Sequence, residues 1–411
     1  MRKKVWLINQ FAMPPQYEPR IQTLKRAQYL IEAGHDVTII SGSFLHNTSK
    51  NLIKDNQKYI TKYYNGLRFI HIRTNSYKGN SVGRVYNFII FPIRLFILSK
   101  KFDKPDVISH VATVPFGNII YYVAKKFKAK FIVDIVDLWP ESFVAFGLIN
   151  KKNLLLKIAY KAEKWLYEKA DEVVFSMEGG RDYIIEKGWD VASGGKIDLE
   201  KVHYINNGVD LGDFDRNKKK FTIKDTDLEC GDFFNVIYLG SIGLANNLRQ
   251  LIDAAEILKN NRKIKFLIFG DGEDRKTLKN YCEINGLGNV KFKHKWVELK
   301  YIPYILSQSS LNILNYMPTS ISRFGGSQSK LFQYLASGKP ICANQKFGYC
   351  PITKYSVGIA DYFKSAQEYA DAILSFAEMD EVRYVETCQN SRSLAKKYDY
   401  ERLTQKFEKL F

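Results

Sequence analysis

Cysteine is sparse, acid is nearly missing from the first quarter of the chain, and no glycine fingerprint follows the first apolar run. Each shortage closes off a class of protein. The five cysteines, Cys230, Cys282, Cys342, Cys350 and Cys388, are scattered and never in a C-x-x-C arrangement. That excludes a disulfide framework or zinc knuckle and fits a reducing cytosol. LINQFAMPP stands where a dinucleotide-binding G-x-G-x-x-G would open, so a nicotinamide-dependent oxidoreductase is not expected. No segment is dominated by Pro, Ser or repeats. The start, MRKKVWLINQF, is basic and then briefly apolar without a small-residue cleavage site. It reads as a first buried strand, and no secretion is expected.

The chain has 411 residues, 45% of them hydrophobic and 14% aromatic. Such a length predicts two cores in two domains of roughly 200 residues each. Net charge is +19, and the first hundred residues hold 16 Lys or Arg against 4 Asp or Glu. An excess gathered in one half predicts an N-terminal domain that faces something anionic: a phosphorylated substrate, acidic lipid or nucleic acid. The basic residues are not interleaved with an aromatic RNP-like strand and form no known binding module. Nucleic acid is therefore not expected as a partner, and a basic nucleic-acid-binding protein stands only as an alternative. Residues 85–102, VYNFIIFPIRLFILSKKF, are strongly apolar, interrupted by Pro92 and Arg94 and flanked by Arg84, Lys100 and Lys101. The stretch is too short and broken to span a bilayer. Two readings stand: an interfacial segment on an anionic membrane surface, or a crossover helix inside the domain.

Short β-branched runs alternate with helical patterns from end to end, which predicts βαβ units and parallel sheets. Strands are expected at VWLINQ, HDVTIIS, LRFIHIR, PDVISH, KFIVDIV, DEVVFSM and KVHYINNG. The rhythm restarts with NVIYLGS, IKFLIFG, NVKFKH, LNILNY, KPICAN and VGIA. The charged stretch 211–232 reads as a linker. The division is then 1–210, a Rossmann-like domain; 233–395, a second one; and 396–411, a C-terminal helix that can pack back on the first domain. Two doubly wound α/β domains would face a central cleft, with ligands beyond the carboxyl ends of the strands.

The segment SQSKLFQYLASGKP, residues 327–340, follows the strand LNILNYM and the loop PTSISRFGGS. It begins a helix whose free N–H groups, with Gly325 and Gly326 permitting close approach, make an anion site. Lys330 adds a full charge, and Arg323 is placed to add another, as departure of a diphosphate requires. The plainer reading is a helix start capped by Ser327 or Ser329. The loop Gly240-Ser241-Ile242-Gly243 follows the first strand of the second half, where a backbone can approach a phosphate.

These residues carry a family resemblance. S-x-S-K-L-F-Q-Y-L-A-S-G-K-P resembles S-P-[NS]-K-[LI]-[FY]-[DE]-Y-[ML]-A-x-G-K-P of glycosyltransferase family 4, in a bacterial, fucosamine-transferase-like polysaccharide branch. LINQFAMPP, LIEAGHDVTIIS, DLWPES, NNGVDLGDF, YLGSIGLANNL and FGDGEDR are similar to that branch in the same order. The resemblance implies the GT-B fold and a retaining transfer of a sugar from a nucleotide diphosphate, UDP-linked, to a polyprenyl-diphosphate-linked saccharide. The setting would be capsule or O-antigen assembly on the cytoplasmic face of the membrane, without cofactor or metal. A nucleotide-sugar epimerase of the same fold is the alternative.

Residue by residue, the resemblance puts Lys330 on the donor diphosphate and Gln333 where relatives carry a ribose-binding acid. An amide there still bonds a hydroxyl, without the charge that strengthens the bond. The expected donor-binding set is Gly240, Ser241, Gly243, Gly270, Trp296, Gly325, Gly326, Ser327, Lys330, Leu331 and Gln333. A second acid common in the family would fall at Gly325 and is absent. The N-terminal glycine-rich loop aligns with Glu18-Pro19-Arg20, leaving Arg20 as an acceptor-side candidate. Val114 occupies the position of a common His, with His110 nearby as either a catalytic or a strand-end residue. In DIVDLWPES, Asp137 is the candidate to orient or deprotonate an acceptor hydroxyl, with Asp134 and Glu141 on the acceptor side. Trp139 is expected to pack. Asp271 and Glu273 in FGDGEDR read as a turn and helix start rather than a metal site.

Overall fold

The computed structural model describes residues 1–17, 21–46, 48–79, 81–113, 115–229 and 231–411. Arg20 and Val114 lie outside the described residues. The chain divides into two compact units, Met1–Asn206 with Tyr400–Phe411, and Asn207–Asp399.

The first unit is built on an eight-stranded sheet: β1 (Lys4–Ile8), β2 (Asp36–Gly42), β3 (Tyr59–Tyr64), β4 (Leu67–Ile72), β5 (Val107–Val111), β6 (Lys130–Ile135), β7 (Glu172–Phe175) and β8 (Val202–Tyr204). Their order is β3-β4-β2-β1-β5-β6-β7-β8, parallel except for the β3–β4 pair. The second unit has β9 (Phe234–Leu239), β10 (Ile264–Phe269), β11 (Val290–Phe292), β12 (Leu311–Leu314), β13 (Ile341–Ala343) and β14 (Gly358–Ala360). All are parallel, in the order β11-β10-β9-β12-β13-β14. Strands covered on both faces need apolar residues on both, which is why runs such as IKFLIF are buried almost throughout. Both units are Rossmann-like.

Strand β3 was not expected. It pairs antiparallel with β4 across Asn65 and Gly66, both left-handed at φ 50° and 81°. Asn-Gly is the two-residue hairpin signal, but the exposed, Lys- and Tyr-rich YITKYY lacks a run of apolar residues. The stretch 211–232 is not a linker. Leu211–Lys220 is a helix whose Asp210 side chain accepts from Asp213 N at 2.7 Å, and Phe214 and Leu228 lie in the core of the second unit. Several of its acids are paired: Asp225 and Asp227 with Lys293 at 2.7 and 2.6 Å, and Asp215 with Arg392 at 2.5 Å. Pairing lets a charged stretch lie on a core, and composition alone does not reveal it.

The last helix, Tyr400–Glu408, belongs to the first unit. Tyr400, Leu403, Phe407 and Leu410 join its core, Arg26 stacks 4.3 Å over Phe407, and His35 meets Glu408 at 2.9 Å. The crossing falls at Asp399, since Val209 still pairs with Asp399 in the second unit. Residues 85–102 lie mostly in a helix, Val82–Leu98, that buries Phe91, Pro92, Leu95 and Leu98 and exposes Val82, Val85, Tyr86, Phe96 and Ile97. Val82–Lys101 is long and apolar enough to cross a membrane by length and composition, with 33% of that stretch buried. One face of it is core and the other is open.

Glu163, wholly buried in the helix Leu154–Lys169, accepts from the hydroxyls of Tyr167 at 2.8 Å and Tyr183 at 3.0 Å. Burial still pushes its pKa up to about 8. With the folded value above the unfolded one, the folded state holds an extra proton between the two, so stability falls as pH rises through that window. Glu163→Gln removes this titration. In scanning calorimetry the parent's Tm should drop relative to the variant's between about pH 5 and 8; parallel curves would contradict the buried neutral carboxyl.

Candidate functional site

In the second unit the strand order turns between β9 and β12, the point where doubly wound sheets open a crevice at their carboxyl ends. Gly240 follows β9 there, and the helix Ser329–Ser337 follows β12. The N-cap of this helix is Gln328, and no side chain caps it. The serine-capped start therefore does not form, and the first-turn amides are left without a side-chain acceptor.

Lys330 lies in that first turn. Its Nζ donates to Asn246 Oδ1 at 2.9 Å and to Tyr238 Oη at 3.1 Å, and sits 4.8 Å from the Tyr238 ring centre and 5.5 Å from that of Tyr316. Among the described residues no carboxylate pairs with it. Burial lowers its pKa to about 7. The holders are themselves fixed: Tyr238 Oη donates to Ser241 O at 2.5 Å, and Asn246 Nδ2 to Ser241 Oγ at 3.0 Å. Gly240 is required by closeness, since a Cβ there would lie 2.3 Å from Lys330 Cε and 2.4 Å from Nζ. At Gly270, φ +126°, a Cβ would lie 1.8 Å from Gly240 O. Two glycines at the ends of β9 and β10 thus let the two loops and the ammonium close up.

The structure brings together Lys330, Gly240, Ser241 and Gly270 of the expected donor set. Gly243 leads into the turn Leu244–Asn246, which carries Asn246 back to Lys330. Gly325, at φ 107°, Gly326 and Ser327 precede the helix, and Ser327 O accepts from Asn207 at 3.3 Å. Gln333, one turn on, is half-buried with no side-chain hydrogen bond among the described residues. Leu331 is fully buried in the core of the second unit, so its side chain packs there and only its backbone faces the helix start. Arg323 is exposed, its guanidinium over Phe324 at 4.3 Å and donating to Ser320 O. Trp296 follows the edge strand β11 and is exposed. Tyr238 and Asn246 were not anticipated. Tyr238 reads as an ordinary strand aromatic, and the NN after the glycine loop carries no motif.

In the first unit, Asp134 is a correction. It is buried and ion-paired with Arg26, so its carboxylate is committed to the fold. Glu141 is likewise committed, accepting from Tyr160 Oη and Lys187 Nζ at 2.5 Å each. Of the three carboxylates, Asp137 alone is exposed. Trp139 packs edge-on against Phe143 at 4.3 Å. His110 is buried inside β5, between Ile8 of β1 and Val133 of β6, and burial lowers its pKa to about 4. It is neutral at pH 7, and neither ring nitrogen has a hydrogen-bond partner among the described residues.

Residues 22–213 match the family model Glycosyltransferase Family 4, and residues 219–398 match Glycosyl transferases group 1. No curated protein sequence matches the chain. Solved structures resemble it over nearly its whole length. A glycosyltransferase from Rickettsia africae is 17% identical with a TM-score of 0.63, covering 100% of this chain and 97% of that one. Anabaena Alr3699/HepE in complex with UDP is 15% identical with a TM-score of 0.67, covering 99% and 98%. A trehalose-6-phosphate structure from E. coli bound with UDP-2-fluoro glucose is 11% identical with a TM-score of 0.72, covering 99% and 98%. With one half matched by each family model, the chain is a glycosyltransferase of the two-domain GT-B fold.

Proposed function

We propose that the chain transfers a sugar from UDP to a lipid-linked saccharide, with retention at the anomeric carbon, in bacterial surface polysaccharide assembly at the cytoplasmic face of the membrane. One observation carries the donor assignment: an ammonium without a carboxylate partner among the described residues, held over a glycine at an uncapped helix start. Neighbours in complex with UDP or a UDP-sugar support the choice of nucleotide. In the front-face route, the bond between the anomeric carbon and the diphosphate oxygen breaks as the acceptor oxygen forms its bond on the same face. The departing oxygen takes the acceptor's proton, so no protein nucleophile is needed. Lys330 and the amides stabilise the charge that develops on the diphosphate, and Asp137 orients the acceptor. Incubating the protein with UDP-, GDP- and dTDP-sugars, with and without a polyprenyl-diphosphate-linked acceptor, tests the reading. Transfer only with a UDP-sugar and acceptor supports it. Conversion of the donor without acceptor would make the chain an epimerase.

The Lys330 environment gives this reading a pH signature. Below its unliganded pKa of about 7 the ammonium is already charged. Above that, binding a diphosphate must draw in a proton, because the anion favours the charged form. UDP affinity should fall by up to about tenfold per pH unit above about pH 7, where Lys330 must take up a proton to meet the anion. Titration calorimetry in buffers of different ionisation heat would show the proton uptake. Equal affinity and no proton uptake on either side of neutrality would separate Lys330 from the anion.

A further inference from the structure

We propose that residues 146–161 form a surface that docks on an anionic lipid bilayer; this rests on the reading above, in which the acceptor is lipid-linked. The stretch follows the short helix Glu141–Ala145, which itself follows the β6 loop that carries Asp137. The helix Leu154–Lys169 buries Leu156, Glu163, Leu166 and Tyr167 on one side. On the other it holds Leu154 at 70%, Leu155 at 72% and Ile158 at 51% exposure, and the turn before it adds Phe146 at 52% and Leu148 at 69%. Single apolar residues on a surface are ordinary, but five within thirteen residues mark an interaction site. Their presentation is fixed, since Asn153 caps the helix by accepting from Leu155 N at 2.8 Å.

Charge selects the partner. From residue 142 to 162 there is no Asp or Glu, and Lys151, Lys152, Lys157 and Lys161 are all exposed. Aliphatic side chains ringed by lysine suit the headgroup boundary, where long stems reach alongside acyl chains while ammoniums meet phosphates. Protein interfaces instead deplete lysine. A second copy on a two-fold axis would set these four lysines against themselves. Tyr122, half-exposed and stacked on Trp165 at 5.9 Å, extends the face with aromatics of the kind found at membrane interfaces.

The test is co-sedimentation of the full chain with phosphatidylcholine vesicles, with and without phosphatidylglycerol, at low and high salt. Binding is expected to the anionic vesicles and to weaken with salt. The triple change Leu154→Ser, Leu155→Ser, Ile158→Ser and, separately, the pair Lys151→Glu, Lys152→Glu should each cut partitioning by at least about tenfold. Tm and UDP binding, read on the same preparations, should be unchanged. No binding by the parent, or equal binding by the variants, overturns the proposal. So does a loss seen only with Val85→Ser and Ile97→Ser, which would assign the surface to the helix Val82–Leu98. Concentration-dependent self-association abolished by the same triple change would give the face to a second copy and also overturn it. If the parent binds vesicles but not UDP, the donor reading fails and the docking surface stands.

Discussion

Lys330→Ala lowers sugar transfer by at least about 10²-fold, the scale of losing one preorganised charge donor at a developing anion. The fold should survive. Lys330 makes no ion pair among the described residues, and its burial disfavours the charge it carries. Its removal frees Asn246 and Tyr238 from one bond each, and both keep their bonds to Ser241. Lys330→Met keeps most of the stem and separates packing from charge; it should lose activity equally. Turnover under saturating acceptor, UDP affinity and Tm are the three readings. Loss of Tm in step with activity would make Lys330 structural.

Gly240→Ala has the second largest effect on transfer. The new methyl would occupy the place of Lys330 Cε and Nζ. A flexible side chain can move aside, so the ammonium leaves its position; Gly240 is itself at φ +159°, and some loss of stability accompanies the change. A displacement of about 1 Å in a positioning group can cost about 10²-fold in rate. Gly270→Ala serves as the contrast. There the methyl meets the Gly240 carbonyl, part of the backbone, at a left-handed φ, and about 2 kcal/mol or more of stability should be lost as well. Differential calorimetry beside turnover distinguishes them: both lower the rate, and Gly270→Ala, whose methyl meets backbone rather than a flexible side chain, lowers Tm more than Gly240→Ala. Full activity in Gly240→Ala would mean that the ammonium need not sit where it does.

The sheets were legible because parallel strands buried on both faces leave continuous apolar runs such as IKFLIF. The helix at Lys330 was legible because a loop with two glycines and a helical period lie next to each other in the chain. What escaped depends on contacts distant in sequence. Arg26 pairs with Asp134 across 108 residues, and Lys293 gathers Asp225 and Asp227, so an acid in the DIVDLWPES motif and a solvated-looking stretch are both tied into the packing. Asn246 and Tyr238 hold Lys330 from 84 and 92 residues away. No local pattern separates them from an ordinary loop amide and strand aromatic. Leu331 was carried into the donor set by its place in a motif. Its side chain lies in the core of the second unit, which the motif does not reveal.

The central claim is that Lys330 and the first amides of the helix Ser329–Ser337 hold the donor's diphosphate. A crystal structure of the chain soaked with UDP tests it most directly. The account predicts both phosphates at the carboxyl end of β9, with an oxygen within hydrogen-bond reach of Lys330 Nζ and of at least one first-turn N–H. UDP bound elsewhere, with Lys330 still resting on Asn246 and Tyr238, would contradict it.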